Sequence, residues 1–189
     1  MTTPPQPWHP VRTERLLLRD FVPADFDAVH AYACDPEVAR YMEWGPNTLE
    51  ETRTFLNRAL DNQTIWPRLH FGLAIELTRT GEVIGSIDLR LRDAAARTAE
   101  IGYCLRQDHW RRGVVSEASR ALVDVAFKTL GLHRVIATCD ARNTGSYSVM
   151  EKVGMRREGL MRLDKEVKGA WRDTYLYAVL AEEWGDKGT

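Results

Sequence analysis

Cysteine is scarce in this 189-residue chain: Cys34, Cys104 and Cys139 make an odd number with no C-x-x-C spacing. That usage does not build a disulfide framework, and reduced thiols in a cytoplasmic protein are expected. Long apolar runs are missing too. Leu16-Leu17-Leu18 and the stretch from Tyr177 to Ala181 fall well short of the ~18–20 residues that span a bilayer, so no membrane association is expected. Neither sign of charge dominates, with 26 basic against 27 acidic residues and a formal net charge of −1. Nucleic acid and anionic membranes are therefore not expected partners. The start, Met1 to Pro10, is rich in proline but has no basic stretch followed by an apolar one, which argues against a secretory leader. His9, His30, His70, His109 and His133 form neither H-E-x-x-H nor an i, i+4 pair, so no metal site is expected. G-x-S-x-G, G-x-G-x-x-G and P-loop sequences are also lacking.

What is present is an ordinary globular composition, 44% apolar and 28% charged, long enough to bury a sizeable core. One domain over residues 13–184 is expected, after a flexible or extended lead-in at 1–12 and before a tail at 185–189. Thr13 to Phe21 reads as a strand. Phe26, Val29 and Ala33 recur at helical spacing over Asp25 to Cys34, and Asp35-Pro36 is expected to break that helix. Thr48 with Glu51 three residues on is a capping box that opens a helix to about Leu60. From Leu69 the period becomes two: Phe71, Leu73, Ile75, Leu77, then Val83 to Leu91, then Ala99 to Leu105 predict a three-strand antiparallel meander.

Ser116 to Leu130 carries a stripe of Ala118, Ala121, Leu122, Val125 and Ala126, the clearest helix in the chain. A strand at Arg134 to Cys139 follows, then a helix from Thr144 to Val153 stopped by Gly154. A closing hairpin of Leu160 to Val167 and Trp171 to Leu180 turns at Lys168-Gly169. The order β α α β β β α β α β β contains no repeat, which makes it one α+β or mixed α/β domain.

The chemistry concentrates where His109-Trp110-Arg111-Arg112-Gly113-Val114-Val115-Ser116 leaves a strand and opens the best helix. A helix N-terminus presents unpaired N–H groups and the positive end of a dipole, here with two arginines just before it. Such a loop is suited to an anion. Gly113 permits close backbone approach, and Ser116 offers a hydroxyl at the cap position.

Three fragments then resemble one family in order and spacing: Ala99-Glu100-Ile101-Gly102-Tyr103, Trp110 to Ala118, and Asn143-Thr144-Gly145-Ser146 before Glu151-Lys152-Val153-Gly154-Met155. Together with the opening Thr13 to Arg19 and the closing Asp173 to Tyr177, they resemble the GNAT N-acetyltransferase superfamily, in its Rim-type branch of ribosomal-protein-alanine N-acetyltransferases. The resemblance implies a central, mostly antiparallel seven-stranded sheet, split around the cofactor and flanked by about four helices. It implies acetyl-CoA as donor, its pyrophosphate on the backbone of Arg111, Arg112, Gly113, Val114, Val115 and Ser116. It further implies a splayed fourth strand whose backbone near Tyr103, Leu105 and Arg106 pairs with the pantetheine arm, in the manner of strand addition. Asn143 matches the family's asparagine beside the cofactor, and Ser146 the hydroxyl that protonates the leaving thiolate. Tyr41, Trp44 and Trp66 fall in the segment that roofs the acceptor site, and homodimers are common among such proteins. One departure is Val115, where Gly or Ala is usual: its β-branched side chain crowds the phosphate if it points inward.

Acetylating an amine requires the neutral nucleophile, while α-amines titrate near 7.7–8.0 and lysines near 10.4, so a base or water relay is expected. Glu100 is the candidate, being a carboxylate among Ala99, Ile101, Gly102, Tyr103 and Cys104. Strict alternation turns it to the face opposite Tyr103 and Leu105 unless a bulge changes the parity. The expected reaction is direct attack of a primary amine on the thioester of acetyl-CoA, with backbone N–H near Tyr103 polarising the carbonyl and Ser146 as acid. A protein N-terminal α-amine is the acceptor the resemblance implies. A small-molecule amine, another acyl-CoA donor, or a non-catalytic acyl-CoA-binding protein of the same fold remain the alternatives.

Overall fold

The computed structural model of the protein describes residues 9–185; most of the expected lead-in and all but the first residue of the expected tail lie outside that range. Eight strands form one sheet among the described residues: β1 Val11–Arg12, β2 Leu16–Asp20, β3 His70–Leu77, β4 Val83–Asp93, β5 Thr98–Leu105, β6 Arg134–Asp140, β7 Arg156–Val167 and β8 Ala170–Leu180. Their order across the sheet is β1-β2-β3-β4-β5-β6-β8-β7. The expected seven strands become eight because Val11 and Arg12 pair with Leu18 and Leu17. Among the described residues six α-helices accompany the sheet: α1 Phe26–Ala33, α2 Pro36–Ala39, α3 Leu49–Thr64, α4 Val114–Lys128, α5 Thr144–Val153 and α6 Ala181–Trp184. The four long ones are those expected, and α2 and α6 are single turns. Asp35-Pro36 starts a helix as well as ending one: the Asp35 carboxylate accepts from the Glu37 N–H at 2.8 Å, and Pro36 sits in the first turn, where its missing N–H costs nothing.

Local signals explain the long helices. Thr48 and Glu51 exchange reciprocal bonds at the start of α3, the Thr48 N–H donating to Glu51 at 2.7 Å and the Glu51 N–H to the Thr48 hydroxyl at 3.2 Å. In α4 the residues at helical spacing, Val114, Ala118, Leu122, Val123 and Ala126, are buried against the sheet. Leu122 and Val123 are fully enclosed, each contributing about 1.5–3 kcal/mol by burial. Gly154 ends α5 at a φ of 100°, a left-handed geometry that a residue with a Cβ resists.

Two apolar clusters sit on opposite faces. The larger joins Leu16, Leu18, Leu73, Ile75, Ile87, Ala99, Ile101 and Leu105 to α4 and α5. The smaller joins Ala74 and Cys104 to α1, α2 and α3. Six of the seven strand pairings are antiparallel; the exception is β5 with β6. That parallel pair holds at Thr98–Arg134, Ala99–Val135 and Glu100–Ile136. Past Glu100, β5 stays with β4 as far as Leu105, while β6 stays with β8 as far as Asp140. The sheet therefore opens between them, and the opening positions the site.

Candidate active site

A cavity of about 250 Å³ occupies this opening, lined from β5 by Ile101, Gly102 and Tyr103 and from β6 and α5 by Thr138, Cys139, Asp140, Asn143, Ser146 and Met150. Residues from both faces of the sheet line it, as expected of a gap that passes between strands. The Arg106 N–H donates to the Ile84 carbonyl at 2.9 Å, which fixes the ladder's phase. By alternation Glu100, Gly102, Cys104 and Arg106 turn their main chain toward β4, whereas Tyr103 and Leu105 turn theirs toward the opening. The Leu105 carbonyl there accepts from the Trp110 indole N–H at 2.8 Å. The expectation that Arg106 serves the opening is corrected: its N–H is bonded to β4, and its guanidinium is tied to Glu82 at 2.6 Å and Asp108 at 2.7 Å.

The anion loop follows directly. Arg111 and Gly113 adopt positive φ, 59° and 74°, which bends the chain into α4. Gly113 is the N-cap, and the first intrahelical bond runs from the Glu117 N–H to the Gly113 carbonyl at 3.0 Å. The N–H groups of Val114, Val115 and Ser116 thus have no helical acceptor. Ser116 is the third helical residue, so the cap role read for its hydroxyl belongs instead to Gly113, whose αL backbone turns the loop. Val115 packs against the larger core, partly buried, so its branched side chain serves the interior.

Sequence reasoning missed what holds this loop. The Arg15 guanidinium donates to the Arg112 carbonyl at 3.0 Å and pairs with Glu117 at 2.6 Å. Glu117 also accepts from the Thr13 hydroxyl at 2.5 Å and the Arg15 N–H at 3.0 Å. Partial burial pushes the Glu117 carboxyl upward, but these donors outweigh it and hold the group below its usual range. Thr13 and Arg15 lie about a hundred residues from the loop, and no local signal links them.

On the far wall, the Asn143 side-chain oxygen caps α5 by accepting from the Ser146 N–H at 3.1 Å. The Tyr103 phenol donates to the Ser146 carbonyl at 2.9 Å and lies 3.1 Å from the Ser146 hydroxyl. Burial pushes that phenol well above its ordinary range and the Cys139 thiol up to about 11, so both are protonated near neutral pH. Cys104 is buried at the smaller cluster and pushed up to about 12.

Glu100 stands at the last paired position before the opening, and the β4–β5 register stays regular from Gly85–Leu105 to Leu91–Ala99. The irregularity falls at Arg92 on β4, so Glu100 keeps the face opposite Tyr103. Arg92 holds its carboxylate through Nε at 2.6 Å, and the Thr138 hydroxyl donates to it at 3.0 Å. Thr138 lines the cavity; Glu100 stands behind it.

The outer end is built from the segment after α2 and the β7–β8 hairpin: Tyr41, Trp44, Glu43, Lys165 and Arg172. Lys165 pairs with Glu43 at 2.5 Å. Asp140 accepts from the Arg142 N–H and Nε, each at 2.9 Å, from its Nη2 at 2.7 Å, and from Arg172 Nη1 at 3.2 Å. The Arg142 guanidinium, foremost among these donors, holds the Asp140 carboxyl below its usual range. Trp66, expected at the roof, is instead 60% exposed and outside the lining. His70 is also outside it, 3.3 Å from the Asn62 amide and 3.4 Å from the Asp88 carboxylate. Among the described residues no group of three His, Cys, Asp or Glu side chains is arranged to hold a metal, and no helix is long and apolar enough to cross a membrane.

Residues 15–156 match the sequence profile of the Acetyltransferase (GNAT) domain family. The chain is 37% identical over 175 residues to the uncharacterized N-acetyltransferase YnaD of Bacillus subtilis, covering 92% of this chain and 98% of that one. It is 32% identical over 101 residues to the ribosomal-protein-serine acetyltransferase of Escherichia coli, covering 53% of this chain and 56% of that one. Among solved structures, a GNAT-family acetyltransferase from Bacillus anthracis superposes with a TM-score of 0.83 at 36% identity, covering 93% of this chain and all of that one. Spermidine N-acetyltransferase from Vibrio cholerae, solved with CoA and spermine, shares the fold at a TM-score of 0.78 and 18% identity, covering 92% and 100%.

Proposed function

Because the chain belongs to the GNAT acetyltransferase family and is an N-acetyltransferase, we propose that it transfers the acetyl group of acetyl-CoA to the free α-amine of a protein N-terminus. The observation that carries this reading is the opening between β5 and β6. The main chain of Tyr103 and Leu105 is turned toward it, and unpartnered amide donors stand at the start of α4. Acetyl-CoA supplies a thioester that an amine attacks directly.

The N–H groups of Val114, Val115 and Ser116, with Gly113 beside them, suit a pyrophosphate, and the exposed Arg111 and Arg112 add positive charge. The Tyr103 N–H donates to the thioester carbonyl as negative charge builds on its oxygen. The Ser146 hydroxyl protonates the departing thiolate, with the Tyr103 phenol fixing its position. The Asn143 amide, held at the α5 cap, borders the same space. Glu100 takes the amine's proton through the hydroxyl of Thr138, a residue that lines the cavity and donates to the carboxylate. Arg92 holds the Glu100 carboxylate in place, and in this reading its position on the face opposite Tyr103 is why a relay is required.

The protein-terminus acceptor is supported by the similarity to a ribosomal-protein-serine acetyltransferase. The test is CoA release and mass spectrometry with free-terminus peptides, the same peptides blocked at the α-amine, and polyamines. Acetyl on the free α-amine alone is the expected result. Transfer confined to polyamines, or to none of the amines, would overturn it.

A further inference from the structure

Arg172 in β8 lines the outer end of the cavity with its side chain only 11% exposed. Its Nη1 is engaged, donating to Asp140 at 3.2 Å and to the Arg40 carbonyl at 3.3 Å. Its Nε is buried and has no hydrogen-bond partner. A guanidinium N–H is an obligatory donor, and leaving one buried and unpaired is costly. The nearby carboxylates do not answer it: Asp140 already accepts three bonds from Arg142 and one from Arg172 Nη1, and Glu43 is taken by Lys165.

We infer that the Arg172 Nε–H receives an sp² oxygen of the acceptor, the carbonyl or carboxylate borne by the carbon next to the reacting amine. This deepens the acceptor reading above and rests on the cavity being the acceptor site. The acceptor is then an α-amino carbonyl compound, a peptide N-terminus or an amino acid. A polyamine offers no such oxygen and brings further positive charge toward Arg172 and Lys165.

The experiment compares kcat/KM for an alanine tripeptide amide, free alanine and a 2-aminoalkane of matched length, on the wild type and on Arg172→Lys, which keeps the charge but removes the Nε donor. The wild type is expected to favour the tripeptide over the aminoalkane by about 10–100-fold, the worth of one charged hydrogen bond. In Arg172→Lys that ratio falls by about tenfold or more. The tripeptide against free alanine separates a peptide carbonyl from a carboxylate as the source of the oxygen. A wild type that does not distinguish tripeptide from aminoalkane overturns the inference without any variant. A variant in which both fall equally does so as well, because that is the mark of a merely structural arginine. Calorimetric binding of the tripeptide amide to the CoA-loaded protein reads the contact without turnover. Binding weakened by Arg172→Lys in the absence of transfer would sustain the role of Arg172 while overturning the proposed activity.

Discussion

Tyr103 and Ser146 meet across the opening, the phenol donating to the serine's carbonyl at 2.9 Å and lying 3.1 Å from its hydroxyl. One residue belongs to β5, which leaves with β4, and the other to α5, which follows β6. The contact therefore spans the gap that the parting strands create. Because burial keeps the phenol protonated, the clasp does not titrate in the working range.

Replacing Ser146 with Ala removes the hydroxyl and keeps the main-chain carbonyl that Tyr103 grips. The expected outcome is a fall in kcat on the order of 10²-fold, the lower end for a positioned acid, with KM for acetyl-CoA changed less than about threefold. Steady-state kinetics with acetyl-CoA varied checks it. Unchanged turnover would remove the acid role.

Glu100→Gln and Thr138→Val interrupt the same relay at two points, so each is expected to lower kcat/KM on the order of 10²-fold near neutral pH, with little further loss when combined. The deficit should shrink as pH rises past about 8, because an α-amine then sheds its proton to solvent unaided. A pH–rate profile of both variants decides the point. A deficit constant up to pH 10 speaks against proton removal by this pair.

Much of the fold around the candidate site was legible because its signals are local. The Thr48–Glu51 box, the Asn143 cap, Gly154 and the glycine turn before α4 each act within a few residues. The start of α4 was read two residues late because the cap is a left-handed glycine backbone, and Ser116 offered a more familiar cap side chain. The Asp140–Arg172 contact was not legible, since it depends on β6 lying against β8 with Asp140 opposite Thr174. Nor was the Arg15–Glu117 brace, which joins the residue before β2 to the first turn of α4 about a hundred residues on. The alternation rule for Glu100 did hold, and it separates that carboxylate from Tyr103.

Val115→Ala tests the one departure from the family's pattern. Since Val115 packs against the larger core, the truncation is expected to cost about 1 kcal/mol of stability and to change the acetyl-CoA dissociation constant by less than about twofold. Denaturant unfolding and calorimetry measure the two separately. A tenfold tighter complex would mean that the side chain crowds the phosphate after all.

Asp140 carries a pH signature. Its folded carboxyl titrates below the ordinary value near 3.9, chiefly because Arg142 donates to it. A depressed group stabilises the fold above its unfolded value, and that contribution is lost as pH falls through the depressed one. Asp140→Asn should therefore be less stable than the wild type at pH 7, with the difference closing below pH 4 in urea unfolding. A difference that widens in acid would contradict the assignment.

Thermal unfolding with and without acetyl-CoA tests directly whether the opening between β5 and β6 holds it. At a hundredfold excess over the dissociation constant, binding adds about 2.7 kcal/mol. For a chain of this size that raises Tm by roughly 5–10 °C, the rise this account predicts. A Tm unmoved at millimolar acetyl-CoA would contradict it.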